Sequence, residues 1–280
     1  MKTRLLICGA FFVAATGLFG AEPLTQSTFT EVIKDVNVVA QPTKTATPAK
    51  PNELFKFPDL IRTGSESRAE LTAADKTITR VGANSVFSFE PAGRDINLQQ
   101  GSVLFHSPTG KGGGTIKSGG ASAAVLGTTP IVATTPIQAP TDRNGFKVIL
   151  LEGKGRVTLP NGRSRTLNGG QMVYVLPGQT QFGQVLDINL GKLVAGSPLV
   201  TGFSAELLSM PKIKKAIERQ DDLIRRGRAK DTGVSADNFP KQRSKPGNGA
   251  NDIDNNTYIL GTLQPAFVFN PKAGGPPIIK

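Results

Sequence analysis

A glycine-rich stretch with a lysine is the first place where the sequence suggests chemistry. Residues 107–120 read SPTGKGGGTIKSGG, a composition similar to that of a phosphate-binding loop. The P-loop pattern is G-x-x-x-x-G-K-[ST], on a turn that leads from a strand into a helix. Here Gly112 follows Lys111, and Phe105 occupies the position of the first glycine. The spacing therefore predicts a hairpin or surface loop, followed by an extended run, and no nucleotide site.

Other candidate catalytic and metal-binding residues stand alone in the sequence. His106 is the only histidine, whereas a zinc site needs several ligands and a hydrolytic triad needs a nucleophile and a carboxylate. The acids Asp75, Asp95, Glu152 and Asp187 have no paired spacing, although a glycosidase pair can meet only in the fold. We expect His106 at the surface or a strand edge, no metal, no cofactor and no catalytic residue. The expectation is that the protein is not an enzyme, and a hydrolase is the least favoured function.

The N-terminus predicts export. Lys2 and Arg4 precede the apolar run LLICGAFFVAATGLFG, and AEP follows it, which is the order of a secretory signal peptide. The run is shorter than the ~20 residues that span a bilayer. We therefore expect residues 1–21 to be a signal peptide. An uncleaved anchor is the alternative, since bulky Phe19 stands before the cleavage site. Cys8, the only cysteine, lies in this segment, so the mature chain has no disulfide and no thiol nucleophile.

The regular elements that would position any site are mostly strands. From about residue 54 to 178, short alternating apolar runs are separated by glycine turns; Phe87 and Phe89, for example, share one strand face. Asn161-Gly162 is a strong hairpin signal. Such a series predicts an all-β sandwich, barrel or solenoid.

The predicted β domain spans residues 54–200. Residues 22–53 contain a first strand at 28–39, which we assign to the same domain, and then a linker rich in Pro, Thr and Lys. We expect this linker to bury little.

A single amphipathic helix is predicted within residues 201–230. Ser209 is a candidate N-cap and Gly227 ends the helical pattern. Ile213, Ile217 and their neighbours form an apolar stripe that we expect to dock on the β domain. The basic side chains between Lys212 and Lys230 indicate a solvated helix face, with contact to an anionic surface as the alternative. We expect residues 231–280 to form a largely disordered tail, because they are polar and rich in turn residues. Whether residues 257–280 add a strand or pack on a partner stays open.

The strand series resembles the FecR domain, an extracytoplasmic β-rich module. The resemblance is spread over about residues 28–178, and its pieces follow the order of the family. They are LIRTGSESRAEL, TITRVGANSVFSF, LQQGSVLF, AAVLGTTPIVA, VILLEGKGRVTL and LNGGQMVYV.

The resemblance implies a small solenoid-like or sandwich-like β domain that binds or senses through protein contacts. It provides no catalytic residues. The glycines of the strand pattern are interpreted as structural turn positions: Gly101, Gly127, Gly153, Gly162 and Gly170.

This chain departs from the family in two respects. In the iron-transport regulator that names the family, a segment that contacts a sigma factor precedes a membrane helix. Here Met1 to Arg4 alone precede the apolar run, so we do not carry that role over. Pro130 also stands where an aromatic residue is usual, and we expect it to distort its strand.

Together these observations predict a non-enzymatic binding, sensing or scaffold module, exported to the periplasm or the exterior of a Gram-negative bacterium. The expected partner is another envelope protein, held by edge strands or glycine-rich loops. The formal net charge of +12 supports an alternative, a basic envelope protein that binds acidic polysaccharide or an anionic surface. No nucleic-acid partner is expected.

Overall fold

The structure, a computed structural model, describes residues 21–134, 145–175 and 180–228, together with the backbone of two short strands near the C-terminus. The predicted signal peptide, apart from residue 21, lies outside the described residues. So does most of the predicted tail, except the strands Pro240–Gln242 and Tyr258–Leu260, which pair with each other in antiparallel fashion. No helix in the described ranges is long and apolar enough to cross a membrane.

The chain is built mainly of short strands, with helices after them. The strands are β1 Gln26–Ile33, β2 Val36–Val39, β3 Ala46–Pro48, β4 Leu54–Lys56, β5 Leu60–Thr63, β6 Arg68–Thr72, β7 Ile78–Val81, β8 Val86–Phe89, β9 Asp95–His106, β10 Gly114–Ser118, β11 Ala121–Val125, β12 Thr129–Thr134, β13 Phe146–Glu152, β14 Lys154–Thr158, β15 Ser164–Asn168, β16 Gln171–Val175, β17 Leu186–Asp187, β18 Pro240–Gln242 and β19 Tyr258–Leu260. The helices are α1 Leu190–Gly196, α2 Pro198–Thr201 and α3 Met210–Arg225.

These strands form two stacked sheets that share β9. The middle sheet has the order β4-β1-β6-β7-β9-β12-β13-β16-β17, with every neighbour antiparallel. The outer sheet has the order β3-β2-β5-β8-β9-β10-β11-β14-β15, and only its β9–β10 pair is parallel. The N-terminal half of β9 belongs to the outer sheet and the C-terminal half to the middle sheet. The predicted all-β fold is confirmed, and of the predicted alternatives the two stacked sheets correspond to the sandwich.

An aromatic core fills the space between the two sheets. Phe55 lies 6.0 Å from Phe29 and 5.4 Å from Phe89, and Phe87 packs edge-on against Phe89 at 5.3 Å. Phe87 and Phe89 point to the same side because side chains alternate along a strand. The predicted shared face of these two residues is therefore confirmed, and it faces the interior.

A second core joins the helices to the other face of the middle sheet. Its sheet residues include Leu104, Ile131 and Ile149, and its helical residues include Leu193 and Ile213. The predicted helix is present as α3, and its apolar stripe docks as expected. Two shorter helices, α1 and α2, were not predicted. The fold thus has three layers: the outer sheet, the middle sheet and the helices.

The region expected to form one first strand contains two. β1 lies in the middle sheet and β2 in the outer sheet, and the chain turns between them at Lys34, whose φ is 60°. The predicted linker after them also adds a strand, because β3 pairs with β2. The hydrophobic pattern of residues 28–39 does not reveal this change of sheet, since apolar residues occur in both β1 and β2.

The glycines that the sequence singles out all have positive φ. Gly162 closes the β14–β15 hairpin as predicted. Gly127, Gly153 and Gly170 lie where the chain passes from one sheet to the other. Gly101 differs from the prediction, because it lies inside β9 and not in a hairpin turn. It bends that strand at the point where the strand leaves the outer sheet for the middle sheet.

Pro130 distorts its strand as expected. The pairing of β12 with β13 shifts register between Thr129 and Pro130. Proline has no N–H to donate to a sheet, so within a central strand it is found at bulges. The irregularity allows a proline in the interior of the middle sheet.

Candidate interaction edge

Among the described residues, the outer sheet ends at β15, which pairs with β14 on one side and with no described strand on the other. Its side chains at Ser164, Arg165 and Thr166 are exposed, while Leu167 is buried in the core. The other strands at the sheet ends are shorter: β15 has 5 residues, β3 and β4 have 3 each and β17 has 2. β3 also contains Pro48, which removes a donor. β15 is therefore the longest free edge in the part of the chain that the structure describes.

The ladder between β14 and β15 determines which backbone groups of β15 are free. Leu159 N–H donates to Arg163 O at 2.8 Å, and Gly169 N–H donates to Gly153 O at 3.0 Å. Because hydrogen bonding alternates along an antiparallel pair, the odd-numbered residues of β15 face β14. The N–H and C=O groups of Ser164 and Thr166 consequently point away from the sheet. At the end of the strand, Asn168 N–H donates to Gln171 Oε1 at 2.9 Å.

The free edge is basic. Lys154, Arg156 and Arg163 are exposed beside it on β14 and the hairpin. Arg165 lies on the edge itself, with its guanidinium 5.9 Å from the centre of the Phe182 ring. An extended segment that approached this edge would meet positive charge on both sides of the hairpin. The electrostatics therefore favour an acidic segment.

His106 is buried, contrary to the expected surface or edge position. It is 4% exposed, and its Nδ1 atom lies 3.0 Å from Thr129 Oγ1. Thr129 in turn donates to Glu152 Oε1 at 2.9 Å. The reason is that β9 is a central strand, so its helix-facing side is covered. Thr129 stands between the histidine and the carboxylate, so these residues do not form the nucleophile–histidine–carboxylate order of a hydrolytic triad.

Burial perturbs the ionisation of this cluster. Desolvation, followed by the positive charge of Lys212 on α3, lowers the pKa of His106 from 6.5 to about 4. Desolvation raises the pKa of Glu152, while the bond from Thr129 and the charge of Lys212 oppose that rise. The imidazole of His106 is therefore uncharged at neutral pH.

We predict that His106 makes the protein less stable in mild acid. Between pH 6.5 and about 4 the unfolded histidine binds a proton that the folded histidine rejects, so the free energy of unfolding falls as the pH falls. From pH 7 to pH 4.5 the contribution of His106 should drop by about 2–3 kcal/mol. Urea unfolding at both pH values measures this loss.

The matched control is His106→Gln, which keeps a polar group beside Thr129 but does not titrate. Glu152 acts in the opposite direction, because a raised carboxyl pKa favours the folded state at low pH. Glu152 is present in both wild type and H106Q. Its contribution therefore cancels when the unfolding free energy of H106Q is subtracted from that of wild type. A difference that does not change between the two pH values would contradict the prediction.

The acids identified in the sequence have separate partners. Asp75 lies 2.8 Å from Arg94, and Asp95 lies 2.7 Å from Lys117. Asp187 accepts from Gln171 at 3.2 Å. Within the described ranges, no group of His, Cys, Asp or Glu has an arrangement that could hold a metal ion.

The glycine-rich loop leads into a strand. Thr115 to Lys117 lie in β10, as the sequence predicted, whereas a P-loop leads into a helix. The basic helix α3 is largely exposed on its charged side. There, Lys214 pairs with Glu206 at 3.0 Å, and Arg226 pairs with Asp222 at 2.9 Å.

Comparison with known families identifies the core of this fold. The family model of the FecR protein matches residues 59–156, a shorter stretch than residues 28–178, where the sequence resembles the family. Residues 59–156 therefore match the FecR family, which confirms the predicted resemblance over that part of the chain. A comparison with curated proteins finds no significant match.

Two crystal structures of a predicted anti-sigma factor from Parabacteroides distasonis ATCC 8503 are similar to this chain. Their sequence identities are 16% and 17%, with TM-scores of 0.38 and 0.37. Each similarity covers 46% of this chain and 59% of the other chain. The chain thus spans little more than half the length of these proteins.

Proposed function

We propose that this protein is a non-enzymatic binding module of the bacterial cell envelope, exported to the periplasm or the exterior of a Gram-negative cell. In this proposal it holds an acidic, extended segment of another envelope protein as an added strand on β15. The N-terminal apolar segment supports the export, and the FecR domain supports a role in protein contacts. The proposal includes both sensing and scaffolding, since strand addition serves either.

The free backbone edge of β15 is the observation that carries the proposal. Strand addition draws its affinity from main-chain hydrogen bonds, and exposed edge strands are its usual sites. Ser164 and Thr166 offer outward N–H and C=O groups on a strand that is already fixed on its other side by β14. An incoming segment would therefore pair with a pre-ordered template, which reduces the entropy lost on binding.

Thr166→Pro tests the edge directly. The N–H of Thr166 points away from β14, so proline removes an outward donor and leaves the β14–β15 ladder intact. Thr166→Val is the matched control, because it keeps the N–H. We expect T166P to bind the partner about tenfold more weakly or worse, since it loses a hydrogen bond and places a ring in the path of the added strand. T166V should bind as wild type does.

The measurement is capture from an envelope extract with the full chain as bait, followed by titration of the purified partner. Equal affinity of T166P and wild type for that partner would overturn strand addition at β15. A partner lost equally from T166P and T166V would also overturn it, because the side chain and not the backbone would then carry the contact.

The cationic surface supports a second candidate, the binding of an acidic polysaccharide. Lys154, Arg156 and Arg163 are exposed near one another on a hairpin, and none forms an ion pair with another described residue. Binding of a polyanion should fall steeply as salt is raised. It should also fall in Arg156→Gln and be unaffected by T166P, and this pattern separates it from strand addition.

A further inference from the structure

We propose that a groove on the outward face of the outer sheet binds one hexuronate unit, a sugar that carries a carboxylate, of an acidic polysaccharide. The groove has a volume of about 630 Å³, within the range of about 300–1,000 Å³ that is usual for ligand sites. This inference rests on the second candidate function and specifies its site and its sugar class. It is independent of strand addition at β15.

One cross-strand row of the outer sheet forms the floor of the groove. Its members lie opposite one another on β10, β11, β14 and β15, and they are Thr115, Ala124, Arg156 and Thr166. Residues directly opposite one another in a ladder point to the same face of the sheet. Ala124 is exposed, whereas its neighbour Ala123 belongs to the buried core. The row therefore faces solvent, and its short side chains leave a hollow beside Arg156.

The glycine-rich loop borders the groove and forms one wall, in which Gly112 lies. Arg94 holds this wall in place. Its Nε atom donates to Gly113 O at 2.7 Å, and its Nη1 atom donates to Glu22 O at 3.0 Å. The wall is therefore fixed before a ligand arrives, which reduces the entropy lost on binding.

Two cations of the groove have no partner among the described residues. Lys154 and Arg156 are exposed, and they point to the same face because they lie two residues apart on β14. The side chain of neither makes an ion pair or a hydrogen bond with another described residue. The other charges of the lining are neutralised, since Asp95 lies 2.7 Å from Lys117 and Arg94 lies 2.8 Å from a carboxylate. The groove therefore offers two positive charges to an anionic ligand.

The shape and the chemistry of the groove favour a sugar carboxylate. The planar fork of Arg156 can hold both oxygens of a carboxylate, and the Thr115 hydroxyl can donate to or accept from a sugar hydroxyl. From Thr115 to Arg156 the floor spans two strand spacings, about 9–10 Å, which a bare phosphate group would not cover. None of the described lining residues is aromatic. A neutral sugar would therefore find neither a ring to stack on nor a charge to neutralise.

Calorimetric titration of the full chain with tetragalacturonate tests the site. We expect saturable binding that weakens as salt is raised. The tetragalacturonate methyl ester lacks the charges and should bind about tenfold more weakly or worse. Ala124→Leu places a larger side chain on the exposed floor and should also weaken tetragalacturonate by about tenfold or more. Ser122→Leu, on the same strand face but outside the groove, is the matched control and should leave binding unchanged.

Arg156→Gln tests the charge of the site. We expect tetragalacturonate to bind about tenfold more weakly or worse, because the carboxylate loses a charged, two-point contact. Arg62→Gln removes an exposed cation from β5 of the same sheet, so it changes the net charge equally, and it should bind as wild type does. Equal losses in R156Q and R62Q would overturn the site and leave only a general attraction of polyanions to the basic surface.

Other outcomes would overturn the site in different ways. Equal binding by A124L and wild type would place the polymer elsewhere on the surface. Displacement of tetragalacturonate by inorganic phosphate at equal concentration would assign the groove to phosphate. If neither tetragalacturonate nor polygalacturonate binds at all, the second candidate function fails together with this site, whereas strand addition is still tested separately by T166P.

Discussion

Replacing Arg80 with methionine should reduce the free energy of unfolding by about 3–5 kcal/mol, because it leaves a buried carboxylate without its partner. Arg80 is fully buried, and its Nε atom donates to Glu70 Oε2 at 2.7 Å. Its other nitrogens donate to the carbonyl oxygens of Leu199, Val200 and Ala205. Its guanidinium also lies 4.4 Å from the centre of the Phe203 ring. One side chain thus joins the middle sheet to α2 and to the segment that follows it.

Urea unfolding of R80M measures this loss. Lys214→Met is the control, since it removes an exposed ion pair whose side chains are each 64% exposed, and it should reduce stability by less than about 1 kcal/mol. Adding Glu70→Gln to R80M should restore part of the lost stability, because the unpaired charge is then absent. Equal losses in R80M and K214M would contradict the structural role of Arg80.

Replacing Gly101 with alanine should reduce the free energy of unfolding by about 2–5 kcal/mol, from a strained backbone and from overpacking. The φ of Gly101 is 88°, and a Cβ there would lie 2.1 Å from Ser85 Oγ and 2.6 Å from Ser85 Cα. Ser85 has little freedom to move, because its N–H is bound to Thr63 Oγ1 at 2.9 Å. The bend of β9 between the two sheets therefore requires glycine for two separate reasons.

Gly162→Ala provides the comparison for G101A. Its φ is 79°, but a Cβ there meets nothing within 4 Å, so only the backbone strain of about 1–2 kcal/mol remains. Urea unfolding of both variants isolates the clash at Ser85 as their difference. If G101A and G162A lose the same stability, the close approach of Ser85 does not determine the need for glycine at position 101.

The sheet content and the docked helix could be predicted from the sequence because both depend on local periodicity. Phe87 and Phe89 lie two residues apart and so share one face of a strand, and Ile213 and Ile217 recur at helical spacing. The change of sheet at Lys34 and the bend of β9 at Gly101 could not be predicted in the same way. Both depend on which strand pairs with which, and pairing is decided by contacts between residues far apart in the chain.

The burial of His106 and the role of Arg80 were missed for a related reason. His106 shares a strand face with Leu104, and that face is buried only because helices cover it. The apolar stripe of α3 indicated that the helix would cover one face of the sheet, but it did not indicate which face. The free edge of β15 was likewise beyond the sequence, because an edge is defined by the strand that is absent beside it.

Hydrogen exchange of single backbone amides is the most direct test of whether a partner adds a strand to β15. In the free chain the Arg165 amide, which faces β14, should exchange slowly, and the Thr166 amide, which faces outward, should exchange fast. With the captured partner bound, we expect the Thr166 amide to become protected to a degree similar to that of the Arg165 amide. A Thr166 amide that still exchanges fast in the saturated complex would contradict it.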